Sequence, residues 1–90
     1  MNEFKGTPGP WVIGGNEGSK LSVNADPYFV ALVDEGYSQE ANARLIAAAP
    51  ELLEALTVTL DEIGYWLSQQ KPDLKEKIDS AIAKALGESQ

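Results

Sequence analysis

Along residues 11–33 apolar and polar positions change in short steps. Along residues 39–86 they recur every three or four, so the chain divides into a strand part and a helix part. Trp11-Val12-Ile13 predicts a short strand. The run Gly14-Gly15-Asn16-Glu17-Gly18-Ser19 predicts a turn, because its glycines take positive φ without a Cβ penalty. Leu21-Ser22-Val23-Asn24-Ala25 alternates apolar with polar, as a half-buried strand does, and Asp26-Pro27 marks the next turn. Tyr28-Phe29-Val30-Ala31-Leu32-Val33 is apolar throughout, which predicts a central strand covered on both faces, with Phe29 in the core. The expectation is an antiparallel sheet of about three strands with short connections.

Ser38 is placed to cap a helix, with Glu40 near the positive end of its dipole. An alanine-rich run follows as far as Pro50. There the missing N–H and the crowded Ile46 carbonyl predict a break or a sharp kink. Beyond it Leu53, Leu56, Leu60, Ile63 and Leu67 form a stripe at spacings of three and four, an interface for a second copy of the chain. Gly64 weakens this helix locally, and Trp66 is expected in the core. Gln69 to Pro72 form a hinge. Asp73 to Leu86 then make a last amphipathic helix, with Gly87 as its C′ residue and the two helices forming a hairpin. The fold class predicted is α+β in a single domain, with residues 1–37 as sheet and 38–90 as two or three helices.

Composition narrows the function. A net charge of −7 opposes binding to a nucleic-acid backbone and permits a basic partner. With no cysteine and no histidine there is no disulfide, thiol nucleophile, imidazole base or ordinary zinc site. The expectation is therefore a protein that is not an enzyme and carries no cofactor. The start of the chain has no apolar stretch of the signal-peptide kind, and no apolar run has the length of a membrane span, so the cytoplasm is the expected compartment. A core this small makes self-association a common remedy.

Few side chains could carry chemistry. Asp34-Glu35 and Asp61-Glu62 are adjacent in sequence, which does not make an acid–base dyad. The glycine-rich run lacks a phosphate-loop lysine and is not followed by a helix. Arg44 is the one arginine, suited to bidentate recognition of phosphate or carboxylate, with Asn42 two residues earlier. The plainer reading is that Arg44 pairs with Glu40 or Glu51 and that Asn42 helps cap the helix. Trp11 and Tyr37 lie at element ends, where an aromatic ring can stack on a ligand. Arg44, Asn42, Trp11 and Tyr37 are thus the candidate ligand-binding residues.

Thr7-Pro8-Gly9-Pro10-Trp11 and the segment from Ala41-Asn42-Ala43-Arg44-Leu45-Ile46-Ala47-Ala48-Ala49-Pro50 to Glu51-Leu52-Leu53-Glu54-Ala55-Leu56 together resemble a widespread group of small bacteriophage and prophage proteins. In that group a TPGPW start is joined to a NARLIAAAPELLEAL helix through a variable β-hairpin region. The resemblance covers roughly residues 7–56. It implies a phage accessory protein acting in the cytoplasm of the infected cell. In one reading it is an anti-defence sponge, a homo-oligomer that sequesters a cyclic nucleotide or cyclic ADP-ribose-type immune signal. In another it is an acidic inhibitor of a host defence complex, in the manner of anti-CRISPR proteins. A third reading is a phage adaptor with no ligand. Residues 34–62 hold seven carboxylates and one basic residue, which fits the second.

Overall fold

Two-residue turns, Gly18-Ser19 and Asp26-Pro27, fold the first part of the chain back on itself twice. The computed structural model describes residues 4–87 and contains β1 (Val12–Glu17), β2 (Lys20–Ala25), β3 (Tyr28–Val33), α1 (Gln39–Gln70) and α2 (Pro72–Ala85). The strands form an antiparallel meander in the order β1-β2-β3, and the helices follow, so the α+β class is the one observed.

Two details of the sheet differ from expectation. First, the glycine-rich run is mostly strand. β1 continues through Gly14 and Gly15 to Glu17, leaving Gly18, at φ +67°, and Ser19 as the turn. Between the pairs Ile13↔Val23 and Asn16↔Leu21 β1 takes three steps where β2 takes two, which is a bulge. Gly14 is required there by close approach, since a Cβ would collide with Nδ2 of Asn24 and come within 2.6 Å of Ser22 Oγ. The Ser22 hydroxyl donates to the carbonyl of Gly15 at 2.9 Å. Second, β2 rather than β3 is central. With two-residue turns each strand pairs with its sequence neighbour, and the middle strand of three is then β2. β3 also carries an extra residue, Val30, between the pairs Val23↔Ala31 and Asn24↔Phe29.

The core lies between one sheet face and the start of α1. Val23, Val33 and Ala43 are buried, with Trp11, Leu21, Val30, Ala31, Ile46 and Ala47 packed against them. Ala43 and Val23 have no exposed surface, and a methyl-sized helix residue is what lets a helix backbone approach a sheet this closely. Gln39 fixes the start of α1. Its side-chain amide donates to the carbonyls of Ser19 and Val33, both at 2.9 Å. Ser38 does not cap through its hydroxyl. It sits at φ +67° and its carbonyl accepts the Asn42 N–H at 2.9 Å.

α1 stays helical through Pro50, so of the two expectations the kink holds and the full break does not. A further irregularity falls at Ile63, whose φ of −133° and ψ of 19° lie outside the helical region, next to Gly64. The chain divides into two compact units, one of residues 6–51 and the other containing residue 52 onward. In the second unit Leu67 and Ile82 are buried, and Leu53, Leu56 and Leu60 are half-buried. Lys71 alone separates α1 from α2, giving the C-terminal helical pair. Pro72 occupies the first turn of α2, where its missing N–H costs nothing. Leu86 closes the helix by donating to the Ile82 carbonyl, and Gly87 follows at φ +79°.

Candidate functional site

The two motif segments singled out in the sequence meet inside the first unit. A Cβ added at Gly9 would stand 2.9 Å from Cβ of Pro50. Trp11 packs on the core that Ala43, Ile46 and Ala47 help build, and its indole N–H donates to the Thr7 carbonyl at 3.0 Å. The side chains of these two segments therefore hold sheet and helix together.

The four candidate ligand-binding residues are distributed as follows. Trp11 is half-buried in that core. Tyr37 is fully exposed, at 99%. Asn42 is exposed in the first turns of α1. Arg44 is exposed and its guanidinium lies 3.4 Å from Glu40 one turn earlier, the surface pairing that its position allows. Of the proposed interface stripe, Ile63 is exposed and Leu67 is buried. Phe29 and Trp66, expected in the core, are 63% and 53% exposed. Phe29 is exposed because β3 is an edge strand and the sheet is covered on one face.

Sequence reasoning missed a surface on the other face of the sheet. Directly paired residues share a face, so Val12, Asn24 and Phe29 form one cross-strand row, and Ser22 with Leu32 the next. Val12, Phe29 and Leu32 are exposed, whereas Ser22 is buried. Within this layer the Asn24 side-chain carbonyl is buried without a hydrogen-bond partner, at a cost of about 1–3 kcal/mol for such a group. Val12 also lines a neighbouring cleft of about 370 Å³, together with Thr7, Pro8, Gly9, Pro10, Ala25, Asp26 and Tyr28. The signal in the sequence was the absence of alternation in β3. An unbroken apolar run marks either a strand covered on both faces or an exposed apolar face, and strand order decides which.

The electrostatics of the unit are one-sided. Residues 6–51 contain two basic side chains, Lys20 and Arg44, and both are ion-paired, with Asp34 and Glu40. Among the described residues Asp26 has no ion pair. No group of three or more acidic side chains among them could hold a metal ion, and no helix is long and apolar enough to cross a membrane.

The family model of Salmonella phage P22 protein Y8K6 matches residues 1–89. No curated protein and no solved structure matches the chain.

Proposed function

Because the chain belongs to that phage protein family, we propose that it works in the cytoplasm of the infected cell by binding a protein of the host, a defence complex being the target class. The observation that carries this reading is the exposed apolar set Val12, Phe29 and Leu32 on a sheet face of a strongly acidic chain. Exposed apolar surface beside polar and charged rims is characteristic of protein-binding sites. Binding rather than catalysis also fits the lack of histidine and cysteine. The acidic surface favours a basic target, such as the nucleic-acid channel of a defence complex.

The nucleotide-sponge reading draws on Arg44, Asn42, Trp11 and Tyr37. It has less support, since a phosphate would have to displace Glu40 from Arg44, and Trp11 is committed to the core. Self-association belongs to either reading. Exposed Ile63 and Trp66 on α1, beside half-buried Leu53, Leu56 and Leu60, offer a second copy apolar surface.

The test is native mass spectrometry of the protein purified gently from infected cells. The expected result is a complex of fixed stoichiometry with a host protein. An oligomer of this chain alone, carrying the mass of a nucleotide, overturns the protein-binding reading and establishes the sponge.

A further inference from the structure

We propose that the cleft at the end of the sheet is a receptor for one arginine or lysine side chain of a partner protein. This deepens the protein-binding reading and rests on it. The cleft is a site apart from the exposed apolar face. Tyr28 pairs with Ala25, and Phe29 with Asn24, so Tyr28 and Ala25 lie on the side of the sheet opposite to Phe29. Both line the cleft, together with Asp26 from the turn between β2 and β3 and with residues 7–10 of the arm. The arm enters β1 alongside the end of β2, because Val12 is paired with Asn24. Two ties hold this wall in place before anything binds. The Trp11 indole N–H donates to the Thr7 carbonyl at 3.0 Å, and Gly9 lies against Pro50.

The chemistry of the occupant follows from the walls. Asp26 is the charged residue among those lining the cleft. Among the described residues neither its carboxylate nor the Tyr28 hydroxyl has a hydrogen-bond or ion-pair partner. Tyr28 is 66% exposed, so its ring is open to a ligand. A carboxylate and an aromatic ring in one cleft accept a cationic side chain, by ion pairing and by cation–π contact. Pro8 and Pro10 have no N–H, so the arm brings more acceptors than donors to the wall. That balance suits a cation and opposes a phosphate. The wider charge acts in the same direction, since residues 6–51 carry six carboxylates against two cations that are already paired. The volume of about 370 Å³ is near the lower end for small-ligand clefts. It takes one long side chain, with the aliphatic stem lying along the prolines.

The experiment uses the whole chain and two short Gly/Ser-rich peptides, alike except for a central Arg or Gln. Amide chemical shifts of the protein are followed as each peptide is added. The Arg peptide is expected to bind and to shift Thr7, Gly9, Ala25, Asp26 and Tyr28, and to bind more weakly as salt is raised. Asp26→Asn is expected to weaken it about three-fold or more, and Tyr28→Leu about two-fold or more. The rest of the amide spectrum stays as it was in both variants. Glu54→Gln, which changes an exposed carboxylate in the other unit, leaves affinity unaltered. Equal binding of the two peptides, shifts away from the cleft, unaltered affinity in both cleft variants, or no binding at about 10 mM overturns the proposal. So do cleft shifts on diluting the chain without peptide, which would put a lysine of a second copy in the cleft. The native complex from infected cells separates this claim from the broader one. If that complex survives Asp26→Asn with Tyr28→Leu, the cleft is wrong and protein binding stands. If the unsubstituted chain forms no complex, protein binding itself fails.

Discussion

Gly9 lies against Pro50 so closely that a β-carbon at Gly9 would stand 2.9 Å from the proline Cβ. This contact joins the TPGPW stretch to the alanine-rich helix, and it explains in packing terms why the two stretches occur together in one chain. Gly9→Ala is expected to destabilise the protein by about 1–3 kcal/mol, the cost of overpacking a site that has no room. Thermal or urea unfolding measures it. A change below about 0.5 kcal/mol, the range of ordinary surface substitutions, would mean the arm stands clear of the helix.

Gly14 and Gly15 are neighbours with opposite surroundings. A Cβ at Gly14 meets Asn24 and Ser22, whereas one at Gly15 meets nothing within 4 Å. Gly14→Ala is expected to cost about 1–3 kcal/mol and to loosen β1, with faster amide exchange from Val12 to Glu17. Gly15→Ala is expected to be close to neutral. Equal effects at the two positions would place the bulge elsewhere.

Gln39 spans two carbonyls, those of Ser19 and Val33. Removing its amide leaves both acceptors to find water at the end of the sheet. Gln39→Ala is expected to lower stability by about 1–2 kcal/mol, and Gln39→Glu to do the same, because a carboxylate cannot donate to either carbonyl. Urea titrations of the two variants check this. A neutral Gln39→Glu would show that the donor is not needed.

Gly64 sits inside α1 with its nearest prospective Cβ neighbour, Leu60 Cδ2, at 4.0 Å. That is ordinary contact, so an added methyl fits. Gly64→Ala is expected to raise stability by about 0.5–1 kcal/mol, through the smaller entropy of its unfolded state and better helix propensity. Chemical denaturation with a helix-sensitive readout tests it. A loss instead would show that the irregular backbone at Ile63 depends on the glycine.

Much of the fold was legible, for identifiable reasons. Tyr28–Val33 was bounded by Asp-Pro and Asp-Glu-Gly, and the strand has those limits. The amphipathic stretch from Asp73 to Leu86 placed α2, and Gly87 follows its end. Strand order was not legible from β3 itself, since a run of six apolar residues fits a central strand as well as an edge. Gly14 and Gly15 were read as turn because glycine serves turns and close approaches equally. Only the partner strand, with Asn24 and Ser22 filling the space above Gly14, distinguishes them. The candidate site was the least legible part. Arg44 and Trp11 are singular by residue type, yet one faces Glu40 and the other the core. The uncovered face is made of common residues whose exposure depends on which side of the sheet α1 occupies.

The bulge in β1 also bears on how this protein can change over generations. Because one extra residue is absorbed between Ile13 and Asn16, the end of the strand near Trp11 and the end near the hairpin keep separate alignments. Insertions or deletions of matched pairs at the Gly18-Ser19 tip would lengthen or shorten the hairpin without turning Val12 or Ile13 to the wrong side. The same tip carries the Ser19 carbonyl that Gln39 holds, so a change of length there keeps the strand faces but gives up that tie to the start of α1.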